Sequence, residues 1–154
     1  MKAVIQRVTE ANVSVDGEIV GSCNKGYMIL FGAAEGDSFE DAELLARKTA
    51  NLRIFCDEND KMNKSILDID GEILAISQFT LLADVKKGNR PSFIKAMAPQ
   101  EANELYEYFC QKLIEEGVKK VSVGVFGADM KVSLCNDGPV TIIYDTDVWR
   151  KNGD

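Results

Sequence analysis

Apolar and polar positions alternate from the start of the chain. Ala3, Ile5 and Arg7 fall on one side and Val4, Gln6 and Val8 on the other, which predicts a strand over residues 2–9. Val13, Val15, Ile19 and Val20 flank an Asp16-Gly17 turn and predict a hairpin. Tyr27 to Ala33 is a nearly continuous apolar run, consistent with a buried strand. The period then lengthens. Ser38-Phe39-Glu40-Asp41 resembles a capping box, and Ala42, Leu45, Ala46, Thr49 and Leu52 follow on one helical face. Glu72 to Leu82 predicts another buried strand. Pro99 suits a first helical position, with Ala102, Leu105, Tyr106, Phe109 and Leu113 as the buried stripe and Gly117 as the stop. Lys119–Val125, Lys131–Cys135 and Val140–Tyr144 predict three more strands. Strands, helix, strand, helix, strands, with hairpins and two main helices, point to a mostly antiparallel α+β domain and not a doubly wound parallel one. No repeat or linker divides the chain, so one domain over 1–149 is expected, with a short polar tail over 150–154.

Composition narrows the chemistry. The chain has 154 residues, a formal charge of −7 and no histidine. Without histidine, Ser-His-Asp and Cys-His catalysis and His-ligated metal sites are excluded, as is the side chain best suited to proton transfer near neutral pH. No GxGxxG, GxxxxGK[ST] or GxSxG motif is present. Cys23, Cys56, Cys110 and Cys135 form no CxxC pair, and most sit in apolar surroundings, as reduced thiols of a cytoplasmic protein do. No cofactor or metal is implied. The opening residues lack the apolar run of a signal peptide, and no apolar stretch approaches the roughly 18 residues of a membrane span. A cytoplasmic protein beginning at Met1 is expected.

Three segments are candidates for more than packing. In Ser77-Gln78-Phe79-Thr80-Leu81 polar residues interrupt an apolar strand, and a period of two sets Gln78 and Thr80 side by side on one face. Asn136-Asp137-Gly138-Pro139-Val140-Thr141 carries turn residues between two strands, and Gly138 allows close backbone approach to a ligand. Lys86, Lys87, Arg90 and Lys95 make a basic loop in an acidic chain, a candidate for phosphate contact. Gly124 to Met130 adds a glycine-flanked loop, in which Phe126 and Met130 fit either a flat pocket for a base or the core. Each of these segments also has a purely structural reading, and on the residues alone the function stays open.

Together they resemble one family, the D-aminoacyl-tRNA deacylases. The resemblance runs from Met1 to about Asp145. It rests on Ala3-Val4-Ile5-Gln6-Arg7-Val8, Asn51-Leu52-Arg53-Ile54-Phe55, Met62-Asn63, SQFTL at 77–81, RPSF at 90–93, FGADM at 126–130 and NxGPVT at 136–141. Leu82 and Cys135 depart from the residues frequent in the family, and neither is a signature position. The resemblance implies a β-barrel-like α+β fold and a homodimer with active sites at the subunit interface. It implies hydrolysis of the ester that joins a D-amino acid to the 3′ terminal adenosine of tRNA. Ser77, Gln78, Phe79 and Thr80 would bind the ester and carry catalysis. Gly138 and Pro139, joined by a cis peptide, would reach the partner's pocket as a chiral gate. Phe126 and Met130 would flank the adenosine, Arg7 would support the Gly-Pro loop, and Lys86, Lys87 and Arg90 would meet tRNA phosphates.

A gate built from backbone rejects an L side chain by clash and need not read the D side chain. Glycine has no side chain to reject, so glycyl-tRNA is expected as a poor substrate. Backbone N–H groups near Phe79 and Thr80 are candidate oxyanion donors. Two routes remain open for the attack: water assisted by the vicinal ribose hydroxyl, or Thr80 as a nucleophile with no evident base. A non-catalytic module that binds tRNA ends or D-amino acids would use the same pocket.

Overall fold

The structure, a computed structural model, describes residues 1–150. Eight strands and two α-helices follow in the order β1 (Lys2–Val15), β2 (Glu18–Cys23), β3 (Gly26–Gly32), α1 (Phe39–Ala50), β4 (Phe55–Cys56), β5 (Met62–Lys64), β6 (Glu72–Ser77), α2 (Pro99–Glu115), β7 (Val121–Val123) and β8 (Lys131–Asp145). β1 is the spine. Its first half pairs antiparallel with β3 and its second half with β2, while β8 runs antiparallel along its other edge. β3 pairs with β6, and β6 with β7, in parallel, because α1 and α2 lie in the crossovers between them. β2 lies against β7, so the sheet curls into a nearly closed barrel. The mostly antiparallel reading therefore holds for the β1 ladders, while the barrel wall through β3, β6 and β7 is parallel.

Successive residues point to opposite faces, and each face has its own core. Ala3, Ile5, Tyr27, Ile29, Phe31, Ile73 and Ala75 pack under the helices, and Val8, Val13, Met28, Leu74 and Ile76 fill the barrel. A register shift between Val8 and Glu10 keeps Val8, Ala11 and Val13 on the same interior face. α1 opens with the expected capping box: the Asp41 N–H donates to Ser38 Oγ at 3.3 Å, and Asp41 Oδ2 accepts from the Ser38 N–H at 2.9 Å. It ends at Ala50, one turn's fraction short of Leu52. α2 has Pro99 in its first turn, and Tyr106 Oη donates to the Ala75 carbonyl at 2.5 Å, pinning the helix to β6.

Three expected elements differ. The strand predicted over 2–9 continues to Val15, and the two predicted over 131–144 are one strand, because both pair with the same long β1. The strand predicted to reach Leu82 stops at Ser77. The Gln78 N–H still donates to the Phe31 carbonyl at 2.7 Å, and then Phe79–Leu82 wind into a 3-10 turn. That turn folds across the end of β3, where a Cβ on Gly32 would sit 2.7 Å from Leu82 Cδ2 and 2.8 Å from the Gln78 carbonyl oxygen, so only glycine fits there. Arg150, grouped with the polar tail by composition, is anchored to Asp37 and Asp41 at 3.0 Å each; 151–154 lie outside the described residues. No described helix is long and apolar enough to cross a membrane.

Phe109 is fully buried and stacks on Phe31 with ring centroids 4.9 Å apart, tying α2 to β3. Phe109→Ala is expected to lower unfolding stability by about 3–5 kcal/mol, read as a shifted midpoint in urea titration.

Candidate functional site

The end of β6 and the turn after it form one wall of a cavity of about 630 Å³. Ser77, Gln78 and Phe79 line this wall, Phe93 and the 96–99 stretch line the second, and the 126–130 loop with Val132 closes the third. Phe31 and Ile76 belong to the floor. Phe79, 55% exposed, meets Phe93 edge-on with ring centroids 5.1 Å apart. Phe126 is braced from beneath by Tyr106 at 6.4 Å. A slot lined by four phenylalanines and two methionines, with few polar groups, suits a flat heteroaromatic ring that binds by stacking.

The polar groups gather at one edge. Gln78 Nε2 donates to Thr80 Oγ1 at 2.5 Å, so the two residues meet as expected, but through the 3-10 turn and not by strand alternation. Thr80 itself is exposed and outside the cavity wall. The main-chain N–H groups of Phe79 and Thr80 donate to no acceptor among the described residues. Both are thus free to bind an oxygen that gains negative charge.

Gly138 and Pro139 do not line this cavity. They protrude from the β1–β8 ladder. Val8 pairs with Asn136 and Gln6 with Thr141, so Asp137–Val140 stand opposite Arg7 alone and bulge outward. The Gly138-Pro139 peptide is cis, and Gly138 has φ +124°. Arg7, outside the cavity as well, supports the bulge. Its Nε donates to the Asp137 carbonyl at 3.1 Å and its Nη1 to the Ile54 carbonyl at 2.6 Å. The expected site residues thus divide into a cavity set (Ser77, Gln78, Phe79, Phe126, Met130), with Thr80 at its rim, and a bulge set (Arg7, Gly138, Pro139). Lys86, Lys87 and Arg90 belong to neither. They occupy an exposed loop closed by the Asp84–Ser92 bridge, and make no ion pair among the described residues, whereas Lys95 pairs with Asp84 at 3.5 Å.

Sequence reasoning passed over Met97 and read Ala102 as core, and it quoted Phe93, Gln6, Asn136 and Thr141 within motifs without giving them a role of their own. Gln6 carried a readable signal, a lone polar residue between Val4 and Val8 on the apolar face of a strand. Met97 carried none, since an apolar residue in a loop looks like packing.

The chain matches the family described as D-Tyr-tRNA(Tyr) deacylase over residues 4–145. It belongs to that family. A D-aminoacyl-tRNA deacylase of Geotalea uraniireducens is 56% identical over 99% of this chain and 98% of its own length. One of Bacteroides fragilis is 58% identical over 95% of this chain and 97% of its own. Among solved structures, one titled "c-Myc DNA Unwinding Element Binding Protein" superposes with a TM-score of 0.89 at 43% identity, covering 94% of this chain and 98% of that one. A probable eukaryotic D-amino acid tRNA deacylase shares the fold, with a TM-score of 0.78 at 18% identity over 93% of this chain and 97% of that one. For this deacylase-family chain the cavity and the bulge are the two places where family signatures leave the regular ladder.

Thiol chemistry is absent from the cavity of this family member. Burial pushes the Cys23 and Cys110 thiols up to about 11 and about 12, and neither exposed Cys56 nor exposed Cys135 lines the wall. Iodoacetamide at about pH 8 is expected to label Cys56 and leave Cys23 and Cys110 unmodified until denaturant is added, as checked by peptide mass mapping.

Proposed function

We propose that this chain hydrolyses the ester of D-aminoacyl-tRNA in the cytoplasm, releasing free D-amino acid and reusable tRNA. Membership of the deacylase family supports the reaction class. The single observation that carries the site is the aromatic cavity walled by Phe79, the first residue of a turn in which the N–H groups of Phe79 and Thr80 have no acceptor among the described residues. The terminal adenine stacks between Phe126 and Met130 on one side and the Phe79–Phe93 pair on the other. This sets the 3′ ester at the turn after β6. Water attacks the ester carbonyl, the oxyanion rests on the two N–H groups, and the C–O bond breaks to return a ribose hydroxyl and a carboxylate. Thr80 has no base within hydrogen-bond reach among the described residues, and its oxygen already accepts from Gln78. That favours water, helped by the vicinal ribose hydroxyl, over Thr80 as nucleophile.

The bulge supplies the chiral gate, and it does so from a second copy of the chain. Since Gly138 and Pro139 stand away from the cavity of their own chain, they reach an ester only across a homodimer. The unpaired outer edge of β8, with Leu134 37% and Ile143 70% exposed, is the kind of surface that a partner covers. The gate's carbonyls hold the α-amino group and leave no room for an L side chain, while glycyl-tRNA passes slowly.

Matched D-Tyr-, L-Tyr- and Gly-charged tRNA separate the readings. Fast release from D, slow from Gly and none from L is expected. In Gly138→Ala the new Cβ meets Arg7 Nη2 and Val140 Cγ2 at 2.9 Å, at a φ that L-residues avoid. The displaced gate is expected to change the D-to-L ratio by at least about tenfold. Binding of tRNA without turnover on any of the three would instead establish a tRNA-end binding module. Equal release from D and L would leave a hydrolase without a gate.

Lys86, Lys87 and Arg90 meet phosphates next to the ester. Replacing all three with Ala is expected to raise KM with kcat unchanged, and to reduce the slope of log(kcat/KM) against log salt by about 0.7 per cation removed.

A further inference from the structure

We propose that Gln6 is a positioning residue for chiral selectivity: it clamps both ends of the Gly138-Pro139 bulge and so sets where the gate stands. This rests on the gate reading above. Gln6 Oε1 accepts from Asn136 Nδ2 at 2.8 Å and from Thr141 Oγ1. Asn136 is the last paired residue before the bulge and Thr141 the first after it. Asn136 in turn uses its Oδ1 to take the Val140 N–H at 3.3 Å, closing the loop on itself. One acceptor oxygen on β1 therefore joins the two legs of the bulge.

Arg7 does not do this. It grips one leg of the bulge at the Asp137 carbonyl, and Asn136 reaches Thr141 Oγ1 directly only at 3.5 Å, so Gln6 is the side chain of β1 that holds both legs. Gln6 and Arg7 are neighbours on β1 and point to opposite faces of the sheet. Arg7 reaches the Ile54 carbonyl beside the helices, and Gln6 works from the other face. The bulge is thus braced from both sides of the ladder, at its tip by one residue and across its base by the next. A gate that rejects by clash depends on position, since overlap energy falls steeply as the clashing groups move apart. The clamp then governs selectivity more than turnover.

The test is Gln6→Leu, which keeps the side-chain size and removes the acceptor. Release from D-Tyr-, L-Tyr- and Gly-charged tRNA is measured with thermal melting on the same samples. The L-to-D rate ratio is expected to rise at least about tenfold. Gln6→Glu, which keeps an acceptor oxygen, is expected to restore the ratio to within about threefold of the parent. Thr141→Val removes one of the two donors and is expected to move the ratio the same way by less. A folded Gln6→Leu with an unchanged ratio, or with D, L and Gly rates falling in parallel, overturns the proposal. Should Gln6→Leu fail to fold, Thr141→Val decides, and an unchanged ratio there overturns it equally. If Gly138→Ala shifts the ratio while the Gln6 and Thr141 variants do not, the clamp fails and the gate stands. If none of them shifts it, the gate reading fails too.

Discussion

β1 is obliged to serve both of its edges at once, and the site follows from that constraint. One edge is committed residue by residue to β3 and β2, which fixes its length and pleat. β8 must therefore adapt on the other edge. It carries more residues between Thr141 and Asn136 than β1 has between Gln6 and Val8, and the surplus leaves the ladder as a bulge. Because β1 is rigid on its far side, it gives that bulge a fixed platform. Gln6 and Arg7, on successive positions of the platform, hold it from the two faces of the sheet.

The second departure from regularity has the same character. β6 pairs in parallel with β3 as far as Ser77, and the Gln78 N–H closes the ladder on Phe31. A 3-10 turn then leaves the N–H groups of Phe79 and Thr80 without partners at the rim of an apolar cavity. In a chain without histidine, main-chain N–H groups held by such a turn are candidate donors for a developing charge, beside the side chains of Ser77 and Gln78 in the cavity wall. Their direction is set by β6 and by Gly32 beneath the turn, so the geometry exists before any substrate arrives. On the proposed function, the aminoacyl ester is already activated toward water, and such donors would serve it without a strong general base.

The sequence pattern revealed most of the frame and little of its exceptions. Alternation at Ala3 and Ile5, the apolar run at Tyr27–Ala33 and the capping box at Ser38 all follow local rules, and the elements stand where those rules put them. Ser77–Leu81 obeyed alternation on paper. It does not do so in the fold, since the choice between strand and 3-10 turn is made by space over Gly32, a residue distant in sequence. The turn signal at Asn136–Pro139 marked a real feature but concealed its kind. A chain reversal and an outward bulge use the same residues, and only the partner strand distinguishes them. Phe126 and Met130 were balanced between core and pocket for a similar reason, since the wall they complete is supplied by Phe93 and the 96–99 stretch. Gln6 was legible in principle, as a polar residue on an apolar face, but its two partners lie on β8.

Charge adds the last step. A chain of net −7 is a poor general attractor of nucleic acid, yet its charges are not spread evenly around the cavity. Beyond the shared Ala96–Ala98 ridge lies a smaller hollow with Glu35, Glu101 and Glu104 in its wall, besides Asp37, whose charge is met by the N-terminus and Arg150. The exposed loop with Lys86, Lys87 and Arg90 leads on through Ser92 to Phe93 in the wall of the main cavity. On the proposed function, a phosphate chain would be repelled on the acidic side and held on the basic side, so the nucleic-acid strand would enter from the loop. Three cations are enough to orient a single-stranded end and too few to retain a whole tRNA at physiological salt. If the bulge is the gate proposed above, discrimination depends less on affinity than on how the ester meets it during a brief visit, and a bulge braced from two faces then matters more than a larger binding surface.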